Sequence, residues 1–218
     1  MKKQLLALFT IAMVSISACA SENVDGGGFN GKIEYTMEYD LPEAYESQRA
    51  MLPTSMVTYI GKGFTRVEQQ TGLGDQVTIN ELKSGNTTVL MNMMGQKIAL
   101  STEGADKKFE PIIEELEETK VIAGYKCSKV MYTIPDEKGG EGSTFEIYYT
   151  KEFGTEANTQ FPGLAGFPLE YVMEAQGMVI TYTAQKVTEE KVSKELSKVP
   201  AGYEEMTYQE FLKMMGAE

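Results

Sequence analysis

The feature that most constrains the fold is a strict alternation of apolar and polar residues from Lys32 to Leu41, KIEYTMEYDL. Apolar side chains occupy every second position from Ile33 onward, and acidic residues or threonine occupy the positions between them. A period of two places the two sets on opposite faces of an extended chain, whereas an amphipathic helix needs a period near about 3.6. The segment is therefore predicted to be a β-strand with one buried face.

Short runs of the same kind recur along the rest of the chain and are separated by glycine turns. Examples are SMVTYIGKG, FTRVEQQTGLG, QVTINELKSGN, TTVLMNMMGQ and KIALSTEG, and later STFEIYYTKE, FPLEYVMEAQ and MVITYTAQKV. Regular spacing of strand and turn signals is typical of an antiparallel meander. We predict a mainly β (α+β) chain with ten or eleven strands in a single large curved antiparallel sheet, a half-barrel. The whole of residues 31–218 is expected to form this one domain.

Two or three short helices are expected to accompany the sheet. PEAYESQRAML, before Pro53, resembles a short helical excursion, and FGTEANTQFPGLAG resembles a helical turn followed by a loop. TYQEFLKMMG near the C-terminus is predicted to be a short helix opened by Thr207, since threonine is a favourable N-cap residue.

The N-terminus has the pattern of a bacterial lipoprotein signal. Two lysines precede an apolar run from Leu5 to Ile16, which is too short to span a bilayer but suits a secretory signal. Ile16, Ser17, Ala18 and Cys19 then resemble the lipobox, in which the cysteine is acylated and becomes the first mature residue. We predict that residues 1–18 are a signal peptide, Cys19 is a lipid anchor and residues 19–30 are a flexible glycine-rich tether. The alternative is an ordinary signal cut nearby, with Cys19 incidental.

This anchor predicts the location and the first partner of the protein. Acyl chains on Cys19 would hold the protein on a membrane of the bacterial cell envelope. Ala20 follows the cysteine where aspartate would, by analogy with enterobacterial sorting, favour the inner membrane, so the outer membrane is the expected site.

Composition excludes several classes of function. The 218 residues include 32 acidic and 20 basic side chains, giving a net charge of −12, which disfavours binding to the phosphates of nucleic acid. The chain has no histidine, the commonest general base and metal ligand, so we expect no enzyme activity, cofactor or metal. The glutamates of EPIIEELEET lack the spacing of a calcium loop and are expected to face solvent.

The second half contains the stretches IAGYKCSK, EIYYTKEF and FPGLAGFPLEY, and together they resemble the GLPGLI family and related lipoproteins of Bacteroidota. In that pattern a Gly-Tyr-Lys-Cys strand precedes an aromatic strand ending in Tyr-Thr, and a glycine-rich turn leads into Leu-Glu; Ala165 stands where the name-giving proline would be. The resemblance implies a fold similar to the periplasmic lipoprotein carriers, the LolA/LolB-like half-barrel around an apolar cavity, and implies no activity. The matching residues are Gly124, Tyr125, Lys126, Cys127, Tyr149, Thr150, Gly163, Leu164, Gly166, Pro168, Leu169 and Glu170.

Cys127 is the second of two cysteines, and it cannot pair within the chain if Cys19 is acylated. It lies in an apolar strand with no histidine to ionise it, which favours a buried and inert thiol over a redox or catalytic role. An intermolecular disulfide is the smaller alternative.

The methionines, 14 in number, suggest a site for an apolar ligand. Flexible thioether side chains can line a cavity that accepts acyl chains, although they can equally fill an ordinary core. Our leading hypothesis is a monomeric, lipid-anchored protein that binds an acyl chain or the lipid of another lipoprotein. The alternative is a structural or interaction lipoprotein with a filled core. The candidate lining residues are Tyr35, Met37, Met91, Met93, Met173 and Met178.

Overall fold

The computed structural model describes residues 28–72, 74–93, 95–102, 110–136, 142–175 and 177–214. Within these ranges the chain forms twelve strands. They are β1 (Gly31–Asp40), β2 (Ser55–Gly61), β3 (Phe64–Thr71), β4 (Gly74–Glu81), β5 (Thr87–Met93), β6 (Gln96–Thr102), β7 (Ile112–Ile122), β8 (Tyr125–Ile134), β9 (Ser143–Thr150), β10 (Phe167–Ala175), β11 (Met178–Glu189) and β12 (Glu204–Thr207).

All twelve strands belong to one sheet, in the order β12-β6-β5-β4-β3-β2-β1-β11-β10-β9-β8-β7. The first six strands run outward from β1 as a meander, and β11 back to β7 run outward on its other side. The sheet is open, since β12 and β7 are its two edges, and it is curved, since β7 approaches β11 although three strands separate them in the sheet order. The predicted fold class, a mainly β chain with a single large curved sheet, is therefore confirmed.

One strand departs from the antiparallel expectation. β12 pairs in parallel with β6, with Glu204 opposite Ile98 and Thr207 opposite Ser101. β12 follows β11 in the chain, and residues 190–203 form the long connection that brings it across the sheet to the edge strand β6. The sheet is thus mixed at this edge and antiparallel elsewhere.

Three short helices are present in the described ranges. Glu43–Met51 and Lys194–Ser197 are 3-10 helices, and α1 (Tyr208–Met214) is an α-helix. The predicted role of Thr207 is confirmed by a capping box, in which Glu210 N donates to Thr207 Oγ1 at 3.2 Å and Thr207 N donates to Glu210 Oε2 at 2.7 Å.

The alternation in β1 has the predicted result. Ile33, Tyr35 and Met37 are buried, while Glu34, Thr36 and Glu38 lie toward the other side. We call the face of the sheet that carries Ile33, Tyr35 and Met37 the inner face, and the opposite one the outer face. Cross-strand register then assigns inner-face positions to the neighbouring strands, because residues paired directly opposite share a face.

Candidate functional site

Two structures cover parts of the inner face and leave a strip between them. The first is the connection between β9 and β10, residues 151–166, which we call the plug segment. It buries Phe153, Ala157, Phe161 and Leu164 in the core formed by β1 and β8–β11. The ring of Phe161 lies 5.3 Å from those of both Tyr132 and Tyr171, in edge-on contact. This half of the sheet is therefore filled by its own chain.

Asn158 holds the plug segment in its conformation. Its Nδ2 donates to Phe161 O at 2.9 Å and to Gly166 O at 3.1 Å, and its Oδ1 accepts from Phe161 N at 3.0 Å. Asn158 is only 8% exposed, so these three bonds satisfy backbone groups that water does not easily reach. Tyr132 adds a further tie by donating to Pro162 O at 2.9 Å.

The second cover is α1, which lies on the same inner face near the other edge of the sheet. Its buried residue, Phe211, packs with four inner-face residues of β5 and β6. Those residues are Val89, Met91, Ile98 and Leu100. The segment from Lys194 to Tyr203 covers the outer face instead, where Val199 and Tyr203 pack with Ile79.

Between the plug segment and α1, the inner face of β3 and β4 forms a strip that we call the groove. Its half-buried residues are Val67 and Gln69 on β3 and Gln76 and Asn80 on β4. Of the described helices, α1 packs on the inner face of β5 and β6, and Lys194–Ser197 packs on the outer face of β3 and β4. The helix Glu43–Met51 lies by the cluster of Leu41 and Leu52, and Met51 O accepts from Gly72 N just after the end of β3. Solvent thus reaches the inner face here, at the edge of the aromatic core, which extends as far as Val67.

The groove has a hydrogen-bonded polar floor. Thr87 Oγ1 donates to Asn80 Oδ1 at 2.9 Å, and Asn80 Nδ2 donates to Thr65 Oγ1 at 3.0 Å. The chain of polar groups crosses three strands, β5, β4 and β3, and its two threonines are 4% and 2% exposed. Nearby, Gln69 Nε2 donates to Met56 Sδ at 3.4 Å, which is a weak acceptor.

The inner face carries no formal charge across six strands. From β1 to Thr102 of β6, the described inner-face positions hold glycine or only apolar, hydroxyl and amide side chains. The outer-face positions of the same strands include Glu34, Arg66 and Glu68. Because 24% of the chain is charged, this segregation is a marked property of the fold.

The predicted lining residues lie in different places. Tyr35, Met37 and Met173 belong to the aromatic core, and Tyr35 donates to Pro168 O at 2.9 Å. Met91 packs with Phe211 below α1, and Met178 packs with Leu41 and Leu52 in a third cluster. Met93 belongs to β5, but its side chain lies outside the described ones. The structure thus brings three of the six residues into one cluster.

Burial has a strong effect on the tyrosine hydroxyls of the aromatic core. It raises the pKa of Tyr182 to about 12, and it raises the pKa values of Tyr35 and Tyr171 further. Desolvation is the main cause in all three, because the phenolate would be formed away from water. These three hydroxyls are therefore neutral at ordinary pH.

The glycines of the family-like motif form turns. Gly124 and Ala123 both have positive φ, 91° and 48°, in the two-residue turn that joins β7 to β8. Gly163 has φ +81° in the plug segment. Gly166 excludes a larger residue for another reason, since a Cβ there would lie 2.2 Å from Thr150 O. Leu164 and Leu169 are buried beside them.

Glu170, the last motif residue, belongs to a charged network on the outer face. Lys120 Nζ donates to both carboxylate oxygens of Glu170, at 2.8 and 2.7 Å, and Thr183 Oγ1 donates to Oε2 at 3.3 Å. Tyr148 beside it donates to Glu118, which holds the pKa of that carboxyl below its usual range. Because these groups pair with one another, Glu170 has a structural role here.

Cys127 is fully buried and is not in a disulfide. Its Sγ donates to Tyr125 O at 3.6 Å, and burial raises the pKa of the thiol to about 11. A thiol in this state has little thiolate at neutral pH and is a poor nucleophile.

The lipobox and lipid-anchor predictions concern residues outside the described ranges. Ile16, Ser17, Ala18 and Cys19 precede the first described residue. Among the described residues, no cluster of three or more potential ligands could hold a metal ion. In the same part of the chain, no helix has the length and apolar character needed to cross a membrane.

The groove and the Asn158 contacts were not predicted from the sequence. A signal for the groove exists in FTRVEQQ and QVTINE, where every second residue is uncharged although the residues between them include charges. No comparable local signal marks Asn158, because its three bonds depend on how residues 158–166 fold back.

Comparisons with solved structures support the fold. Part of PNGF-II aligns with a TM-score of 0.55 and 15% identity, covering 86% of this chain and 33% of that one. This chain thus spans about a third of the length of PNGF-II, and the likeness concerns the fold alone.

Two looser alignments involve mycobacterial proteins. The lipoprotein LppX of Mycobacterium tuberculosis aligns with a TM-score of 0.39 and 11% identity, over 86% of this chain and 98% of that one. LprF from Mycobacterium bovis aligns with a TM-score of 0.33 and 13% identity, over 83% and 94% of the two chains. No protein-family model matches the chain, and no curated protein matches it, so the resemblance to the GLPGLI family stays a prediction.

Proposed function

We propose that this protein is a lipid-anchored, non-enzymatic protein of the bacterial cell envelope that binds a hydrophobic ligand in the groove. The ligand would be an acyl chain, or the lipid part of another lipoprotein. The observation that carries the proposal is the uncharged inner face of β3 and β4, which stays half-exposed between two apolar clusters.

The apolar margins of the groove are where an acyl chain would gain its binding energy. Val67 is half-exposed beside the aromatic core on one side, whereas Val89 and Met91 on the other side are already buried below Phe211. Val67 is therefore the apolar side chain of the groove that a ligand would cover. Each buried methylene of a ligand would contribute about 0.8 kcal/mol before the costs of association are subtracted. The absence of charge from the face means that no ionic group must be desolvated when an apolar chain enters.

The anchor and the lack of catalysis are further parts of the proposal. The motif ending at Cys19 supports attachment to the envelope, with the outer membrane as the expected site. The buried, un-ionised Cys127 and the absence of histidine from the sequence support a protein without a catalytic centre.

A second candidate function is favoured by the plug segment, which fills the inner face over one half of the sheet. Because the plug segment occupies the aromatic side with Phe153, Phe161 and Leu164, the chain has a completed core without any ligand. An interaction lipoprotein that contacts another envelope protein through its acidic surface would need nothing more.

Binding of a neutral fluorescent acyl amide separates the two candidates. We would titrate it into the purified full chain carrying Cys19→Ser, which removes the proposed acylation site. Val67→Lys places a charge on the uncharged inner face and should abolish saturable binding. Val57→Lys is the matched control, because Val57 lies on the outer face of β2 between Glu34 and Glu68.

The expected result is saturable binding to the reference chain and to Val57→Lys, with loss in Val67→Lys. Circular dichroism of each variant shows whether the sheet remains folded. If the reference chain shows no saturable binding, and if mass spectrometry of protein from its native envelope detects no lipid, the interaction candidate is the better one.

A further inference from the structure

The polar floor of the groove indicates which kind of headgroup a ligand would have. Asn80 uses one of its two amide hydrogens on Thr65 and accepts from Thr87. Its second amide hydrogen has no protein partner among the described residues. Gln69 donates only to the thioether of Met56 there, so both amides can donate to a ligand without breaking a strong internal bond.

The same floor offers nothing that could neutralise a charge. Inner-face positions of β3 and β4 hold Thr65, Val67 and Gln69 opposite Asn80, Thr78 and Gln76. The nearby charged residues of these strands, including Arg66 and Glu68, occupy the alternate positions and pair with each other at 2.6 Å. A charged headgroup in the groove would therefore lose water and gain no counter-charge, which is unfavourable for either sign.

We infer that the groove selects amphiphiles with an uncharged, hydrogen-bonding headgroup, such as an acylglycerol or an acyl amide, over free fatty acids, phospholipids and cationic lipids. This inference rests on the proposed function, because it assigns the headgroup position for the same ligand. Hydroxyl, ester and amide oxygens of the headgroup accept from Asn80 and Gln69, and the acyl chain lies toward the apolar margins.

A competition experiment tests the selection directly. Three amphiphiles with the same acyl chain, a monoacylglycerol, the free fatty acid and the alkyl amine, would each displace the fluorescent acyl amide from the full chain carrying Cys19→Ser. All are used below their aggregation concentrations. We expect the monoacylglycerol to bind about tenfold more tightly than either charged compound at neutral pH.

Acidic pH supplies an internal control. The fatty acid becomes uncharged as the pH falls through its own pKa, so its affinity should rise toward that of the monoacylglycerol, while the affinity of the amine should stay low. No group on the described inner face of β3 and β4 titrates in this range, so the change is assigned to the ligand.

Asn80→Leu locates the headgroup. It should reduce monoacylglycerol binding about tenfold and leave binding of an alkane of the same chain length, which has no hydrogen-bonding group, almost unaffected. Asn92→Leu is the matched control, since Asn92 is exposed and lies on the outer face of β5. If Asn80→Leu does not fold, Asn80→Asp provides a second test, because the added negative charge should weaken binding of the fatty acid more than that of the amine.

The outcomes separate this inference from the function on which it rests. If the fluorescent acyl amide does not bind, and if none of the three amphiphiles binds, the proposed function fails. If the three amphiphiles bind with equal affinity, or if Asn80→Leu acts no differently from Asn92→Leu, ligand binding stands and the headgroup inference is wrong.

Discussion

Replacing Asn158 should reveal how strongly the plug segment is held in the sheet. In Asn158→Ala the amide is lost, and three backbone groups lose their partners: Phe161 O, Gly166 O and Phe161 N. Each buried hydrogen bond contributes about 1 kcal/mol net to stability, and a backbone group left without a partner costs about 1–3 kcal/mol. Because the shorter side chain leaves space in which a water molecule could restore some of these bonds, we expect a loss toward the lower end of this range, about 3 kcal/mol in the free energy of unfolding.

Urea unfolding followed by tyrosine fluorescence and circular dichroism measures this loss, since the chain has no tryptophan. Asn92→Ala is the control, because Asn92 is exposed, and we expect its effect to stay within about 0.5 kcal/mol. A loss below about 1 kcal/mol in Asn158→Ala would show that the plug segment is held mainly by Phe153, Phe161 and Leu164, and that our reasoning about the amide is wrong.

Asn158→Asp tests the donors separately. The carboxylate can still accept from Phe161 N, but it cannot donate to Phe161 O or Gly166 O, and its charge faces both carbonyl oxygens. Burial and these oxygens should raise the pKa of the new carboxyl in the folded state, so the folded state holds its proton more tightly than the unfolded one. The stability of this variant relative to Asn158 should therefore fall as the pH rises through that pKa and recover in acid.

Two further predictions concern the cysteines. Cys19→Ser should abolish labelling by an alkyne fatty acid in producing cells, because the proposed acylation site is lost, and equal labelling of both proteins would exclude this anchor. Cys127 should react slowly with iodoacetamide in the native protein at pH about 8, since its pKa of about 11 leaves little thiolate, and quickly in denaturant, where an ordinary thiol has a pKa of about 8.5. The native rate should increase as the pH rises toward 11, and rapid labelling at neutral pH, or a disulfide-linked dimer, would contradict the burial argument.

The period of two in β1 was sufficient to predict the class of fold. Apolar residues at alternate positions must be buried on one side, and repeated glycine turns return the chain beside itself, so a large antiparallel sheet follows from local patterns. The turn at Ala123–Gly124 and the cap at Thr207 were predictable for the same reason, since both depend on residues close in sequence. The number of strands was nearly correct, at ten or eleven against the twelve found in the described ranges.

What the tertiary structure decided is which surfaces meet. The parallel pairing of β12 with β6 joins segments about a hundred residues apart, and no local pattern specifies it. The methionines illustrate the same limit: Met37, Met91 and Met178 were predicted to line one site, but the packing of the folded chain distributes them among three clusters. The sequence alone determined that this face is apolar or uncharged, because alternation is a property of neighbouring residues. Whether that face is filled or open depends on long-range packing, which places the plug segment over the aromatic half and leaves the groove residues of β3 and β4 half-exposed.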